Sequence, residues 1–108
     1  MDLQVEIMEQ DEETAVLAAA GEVDAYTAPK LKEALLPLTK KENFLVKVDL
    51  KDVSYMDSTG LGVFISALKS TKENNSSMKL VHLQDRVLRL FEITGLIEIM
   101  DIEWGANG

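Results

Sequence analysis

The stretch Asp52-Val53-Ser54-Tyr55-Met56-Asp57-Ser58-Thr59-Gly60-Leu61-Gly62 joins an apolar run to an amphipathic one, and its reading organises the whole chain. Upstream of it, Phe44 to Leu50 is rich in Val and Leu and reads as a strand. Downstream, Leu61, Phe64, Ile65 and Leu68 recur at helical spacing. Between them Lys51 to Asp57 reads as a loop, with Asp57 or Ser58 as the cap that accepts bonds from free backbone N–H groups. Gly60 and Gly62 each cost such a helix roughly 1 kcal/mol relative to alanine. Two such costs in one turn imply close approach by another group, either a neighbouring strand or a partner surface.

The same strand–helix alternation extends in both directions. Leu3, Val5 and Ile7 alternate with Gln4 and Glu6 as in a half-buried strand, and Gln10 to Glu13 turns the chain. Thr14 to Ala20 is a continuous apolar run, the pattern of a strand buried on both faces, and Gly21 ends it. A connection this short favours an antiparallel pair. Thr27 is placed to cap a helix with Pro29 in its first turn and Leu31, Ala34, Leu35 and Leu38 on one face. Pro37 falls near its end and kinks or terminates it.

Beyond the central helix, Lys72 to Ser77 is a polar break, and Met78 to Leu83 reads as a strand that contains the single histidine, His82. Asp85 opens a helix with Val87, Leu90 and Phe91 inward, stopped by Gly95 with Leu96 as the covering contact. Ile97, Ile99 and Ile102 suggest a short last strand or apolar segment, and residues 104–108 a frayed tail. The order β-β-α-β-α-β-α-β predicts an α/β fold, a mostly parallel mixed sheet covered by α-helices, in one domain over 1–108. In such a sheet the strand-to-helix loops lie at the carboxyl ends of the strands. Glu22 to Thr27, Asp52 to Gly62 and Leu83 to Arg86 should therefore share one rim.

The bulk composition narrows the function. The 108 residues are 46% hydrophobic and 28% charged, which is globular rather than disordered. With no cysteine, disulfides and thiolate chemistry are excluded. No secretion signal and no apolar run long enough for a bilayer are visible, so a cytoplasmic location is expected. Nineteen acidic residues against eleven basic ones give a net charge of −8. Such a surface repels nucleic acid and anionic membrane, and suits a basic protein surface.

Enzymatic motifs fail one by one. A nucleophile elbow needs glycine two residues before the serine, where this chain has Met56 before Ser58. A phosphate-binding P-loop needs a lysine where Val63 and Phe64 follow Gly62. His82 has no identifiable triad partner and reads as a strand histidine. Asp49, Asp52 and Asp57 have no metal-loop spacing. No catalytic residue, metal or cofactor is expected.

The segment 52–62 resembles the phosphorylation segment of the STAS-domain anti-sigma factor antagonists (anti-anti-sigma factors). Gly21 to Pro29 is similar to that family's other signature loop, and Arg89 to Leu96 to its last characteristic stretch. The nearest branch is the antagonists of the sigma-B stress-response module of Gram-positive bacteria, with the sporulation antagonists as the alternative. The resemblance implies a STAS-type fold and partner switching. Unphosphorylated, such a protein binds an anti-sigma factor that is also a serine-protein kinase, and so frees the sigma factor. Phosphorylation by that kinase releases it, and a PP2C-type phosphatase reverses the modification.

Ser58 matches the family's phosphoserine, Thr59 is the minor candidate, and Asp24 matches an acidic residue near the phosphate site. Tyr26, Thr27, Asp57, Gly60, Leu61 and Gly62 complete the expected partner-binding set, and the free chain is expected to be monomeric. A phosphate on Ser58 would meet free N–H groups at the positive end of the helix dipole, so it should block docking without melting the fold. Rival readings are a nucleotide- or small-ligand-binding STAS domain, a hydrolase acting through Ser58, and a stressosome-type scaffold.

Overall fold

A computed structural model describes residues 2–103; the tail expected to fray lies outside the described residues. The elements run β1 (Leu3–Gln10), β2 (Thr14–Val23), α1 (Ala28–Thr39), β3 (Leu45–Met56), α2 (Ser58–Asn74), β4 (Ser77–Val81), α3 (Asp85–Ile93), a 3-10 turn (Leu96–Glu98) and β5 (Asp101–Glu103). This is the predicted order. The five strands form one sheet in the sequence order β1-β2-β3-β4-β5. Only β1 and β2 are antiparallel, and the three later pairings are parallel.

Each parallel step moves to the next strand on the same side. Right-handed crossovers therefore place α1, α2 and α3 together on one face. That face receives Ala15, Leu17 and Ala19 of β2, Val46, Val48 and Leu50 of β3, and Met78 and Leu80 of β4, all buried. Phe64 of α2 meets Phe91 of α3 at 6.1 Å between ring centroids, a tilted aromatic contact within the same core. The opposite face is open. Val16, Ala18 and Ala20 are only half-buried, so β2 is not buried on both faces as its apolar run suggested.

Further expectations change in detail. Gly21 does not end β2 but sits at a register shift within it, at φ +122°, where a Cβ would lie 2.2 Å from the Asp2 carbonyl oxygen. Residues 51–56 are not a loop: β3 continues through them to Met56. His82 lies one residue past β4 in the left-handed region (φ 60°), with Nδ1 3.2 Å from Asp49 Oδ1. β4 ends at Val81, short of the expected Leu83, and the expected last apolar segment is divided: Ile97 lies in the 3-10 turn, Ile99 is exposed, and Ile102 alone enters β5. The proline and glycine signals stand where expected. Pro29 lies in the first turn of α1, Pro37 near its end, and Gly95 follows α3 at φ 79° with half-buried Leu96 behind it.

The rim is stepped. Val23, the last residue of β2, pairs with Met56, whereas Val81, the last of β4, pairs with Asp49. From Asp49 to Met56, β3 runs on past β4 by roughly 20 Å at the rise of a strand. The first two loops therefore meet, and the third is set back. Gln84 donates from Nε2 to the Lys51 carbonyl at 2.7 Å, far below the end of β3.

The first turn of α2 rests on the paired ends of β2 and β3. Gly60 is buried there, and a Cβ on it would stand 2.6 Å from Met56 Cγ and 2.8 Å from Val23 Cγ1. The close approach that the glycine signals is thus made by neighbouring strands. Gly62, one position beyond the turn, would place its Cβ in open space. Gly60→Ala should lower stability by about 1–3 kcal/mol through overpacking. Gly62→Ala should be neutral or stabilising by up to about 1 kcal/mol. Urea denaturation of the two variants checks this, and equal effects would contradict it.

Candidate functional site

The site lies where β2 and β3 end side by side. The Asp57 amide donates to the Val23 carbonyl at 3.2 Å, which ties the start of α2 to the end of β2. Asp57 is the single residue between β3 and α2, in an extended conformation (φ −113°, ψ −169°). It is the N-cap, which decides between the two sequence candidates. Its Oδ1 accepts from the Thr59 amide at 2.9 Å and the Gly60 amide at 3.4 Å. The Thr59 hydroxyl donates to the same oxygen.

These bonds hold the Asp57 carboxyl below the usual carboxylate range. The Thr59 hydroxyl is the largest cause, outweighing partial desolvation, and the Thr59 and Gly60 amides add to it. The cap also alters the picture of an open anion cradle. Thr59 and Gly60 have already committed their amides to Asp57, and the Leu61 amide donates to the Asp57 carbonyl. Among the described residues, only Ser58's own amide in this turn lacks an acceptor. A phosphate on Ser58 would find one free donor there, not a nest of several.

Ser58 is the first residue of α2 and is exposed, and its hydroxyl has no hydrogen-bond partner among the described residues. Thr59 is exposed as well, but its hydroxyl is held. Of the expected contact set, Leu61 turns into the core at 6% exposure and Gly60 is buried, so neither offers a side-chain contact. Gly62 remains at the surface of the next turn.

The neighbouring loop is built on Asp24. Its Oδ1 accepts from the Tyr26 amide at 2.9 Å and the Thr27 amide at 3.0 Å, while its own amide donates to Thr27 Oγ1 at 2.9 Å. The Thr27 hydroxyl donates back to the Glu22 carbonyl at 2.8 Å. Thr27 stands at the N-cap position of α1, yet its side chain makes no cap bond and instead closes the loop. Both residues thus have structural work here, and Thr27 is buried. Tyr26, at 90% exposure, is what the closed loop presents outward. Tyr55, across the sheet from Glu22, is 45% exposed, whereas Met56 is core.

Two contributions to the site carry little or no direct signal in the sequence. Val23 and Met56 form the seat of the helix, signalled only indirectly by Gly60. The tether from Thr59 to Asp57 has a local sign, a threonine two residues after an aspartate at a helix start. Among the described residues no group of side chains is placed to hold a metal ion, and no helix is long and apolar enough to cross a membrane.

A protein-family model described as the STAS domain matches residues 6–104. A curated relative from Listeria monocytogenes, named anti-sigma-B factor antagonist, is 51% identical over 111 residues, covering 100% of this chain and 97% of the relative. One from Bacillus subtilis with the same name is 46% identical over 108 residues, with the same coverage. Among solved structures, the anti-sigma factor antagonist SpoIIAA in its unphosphorylated form aligns with a TM-score of 0.71 at 14% identity, covering 93% of this chain and 87% of its own. The phosphorylated form of the Bacillus cell fate determinant SpoIIAA aligns with a TM-score of 0.68 at 18% identity, covering 94% and 91%. At those identities the structural likeness establishes the fold alone.

The cap predicts an acid titration with a defined sign. A carboxylate whose pKa is depressed by folding stabilises the fold above its unfolded value, about 3.9, and loses that contribution as pH falls through the lower folded value. The Thr59 and Gly60 amide resonances should therefore shift with a midpoint below about 3.9. A midpoint at or above that value would show that Asp57 is not holding the turn.

Proposed function

The chain belongs to the STAS-domain family, alongside the anti-sigma-B factor antagonists, and we propose that it is itself an anti-sigma factor antagonist of the sigma-B type, switched at Ser58. In this reading the unphosphorylated chain binds an anti-sigma factor that is also a serine-protein kinase, and the sigma factor is freed. Transfer of a phosphoryl group to Ser58 ends the binding, and a PP2C-type phosphatase restores it. The protein is a substrate in this cycle and not a catalyst.

One observation carries the reading: Ser58 offers an exposed hydroxyl, unpaired among the described residues, at the start of a helix that is held by other residues. Nothing in the cap depends on the Ser58 side chain. Phosphorylation adds about −1.5 to −2 charges at neutral pH. It adds them beside Asp57 and the Glu22–Asp24 loop, on a chain already at −8. Because the nearby amides are engaged, that charge faces outward, where a docking partner would meet its bulk and its field. The fold has no need to change. SpoIIAA, described in both phosphorylated and unphosphorylated forms, aligns with this fold in each of them, which supports a scaffold that stands still.

The sigma-B assignment is supported by identities of 46–51%, over nearly the whole of both chains, to relatives named anti-sigma-B factor antagonist. A nucleotide-binding role gains no support from the open sheet face. A shallow hollow of about 260 Å³ there is lined by Glu6, Asp49 and Asp52, which repel phosphates, against one lysine, Lys51.

Ser58→Ala should retain the complex with the anti-sigma factor, and ATP should fail to dissociate it. Ser58→Asp should bind at least about tenfold more weakly, since a charge is introduced at the contact. Pull-down and titration calorimetry with the purified anti-sigma factor test both. A folded Ser58→Ala variant that does not bind would contradict the proposal.

A further inference from the structure

Two adjacent hydroxyls, Ser58 and Thr59, are both exposed at the start of α2, yet the structure treats them differently. We propose that Asp57 selects Ser58 over Thr59 as the phosphate acceptor, by binding the threonine hydroxyl and leaving the serine hydroxyl free. The inference rests on the reading that Ser58 takes the phosphate, and adds to it a residue that sets the site of transfer.

In phosphoryl transfer the acceptor oxygen forms a bond to the γ-phosphorus of ATP. The bond from that phosphorus to the bridging oxygen breaks, ADP leaves, and the hydroxyl proton passes to a base on the kinase. Ser58 meets these demands as it stands, because its oxygen has no partner to give up. Thr59 does not. Its hydroxyl donates to Asp57 Oδ1, and its amide donates to the same oxygen at 2.9 Å, so backbone and side chain close on one carboxylate oxygen.

To react, the threonine oxygen must leave a charge-assisted bond, which is roughly twice as strong as a neutral one. Its β-branched side chain also has few rotamers available. The γ-phosphate would further have to approach the Asp57 carboxylate, like charge against like. A carboxylate that accepts a hydroxyl proton can in principle act as its base, but this one is held below the usual range and is correspondingly weak. Asp57 is thus a positioning residue. It touches the rejected hydroxyl rather than the reacting one.

The test uses the full chain, the purified anti-sigma factor kinase from the same genome and ATP, with the label assigned to each residue by peptide mapping and fragmentation mass spectrometry. Asp57→Gly removes the tether and the charge, and glycine is tolerated at an N-cap with little loss of stability. Asp57→Asn keeps an amide acceptor for the backbone but weakens the hydroxyl bond. The quantity read is the ratio of phosphate on Thr59 to phosphate on Ser58 within one chain, which cancels a change in overall kinase recognition; Asp57→Asn, which keeps an acceptor for the Thr59 and Gly60 amides, separates loss of the hydroxyl tether from loss of the cap.

In the wild type the label should sit on Ser58. The ratio should rise at least about tenfold in Asp57→Gly, as a lost charge-assisted bond implies, and by less in Asp57→Asn. In a Ser58→Ala background, Thr59 should be labelled only when Asp57 is also replaced. An unchanged ratio in both Asp57 variants, with the wild type labelled on Ser58, would overturn the selection by Asp57 alone. A wild type that takes no label would overturn the underlying reading of Ser58, and this inference with it.

Discussion

The carboxylate of Asp57 closes the one junction on which the site depends. β3 passes into α2 across this residue alone, and the turn has no slack. Its backbone amide reaches the end of β2, and its side chain collects the amides of Thr59 and Gly60. Gly60 then settles onto Val23 and Met56, where a methyl group would not fit. Sheet, cap and helix are thereby fixed relative to one another before Ser58 is considered. Ser58 is the residue of this turn whose side chain takes no part in holding it among the described residues, and the proposed phosphorylation would use that freedom.

The neighbouring loop follows the same logic. Asp24 and Thr27 spend their polar groups on each other and on the loop backbone, which leaves Tyr26 as the outward feature. The register that pairs Val23 with Met56 brings this closed loop alongside Asp57. The surface around Ser58 is therefore rigid and acidic, and carries two tyrosines in contact with solvent. A dianion added there changes what a partner meets far more than it changes what the chain folds into. This is the physical basis of the proposed switch, which would operate through docking.

Much of this was legible in the sequence. The period-2 and helical patterns placed the five strands and three helices in order but not the 3-10 turn, and glycine with leucine at 95 and 96 marked the end of α3. The polar residues Asp52, Ser54 and Tyr55 misled, because a strand that outruns its neighbour β4 is wetted along its edge and reads as a loop. The alanines of β2 misled in the opposite sense: small side chains on the open sheet face look apolar without being covered. The stepped rim was invisible for a related reason, since strand order and register are set by tertiary pairing. At the site, the serine and its cap were readable as local chemistry. Which hydroxyl was tethered, and that the helix amides were already satisfied, required coordinates. Leu61 shows the limit of carrying a motif over whole, for it lies within the motif and yet points into the core.

The central claim is that Ser58 takes up a phosphoryl group while the fold around it stays as it is. The most direct measurement is a two-dimensional amide NMR comparison of the uniformly labelled chain before and after enzymatic phosphorylation. The account predicts shifts confined to the end of β3, the first turn of α2 and the 24–27 loop, with the core resonances of Val48, Leu80 and Phe91 unmoved. Shifts spread through the sheet and α3, or a modified residue elsewhere in the chain, would contradict it.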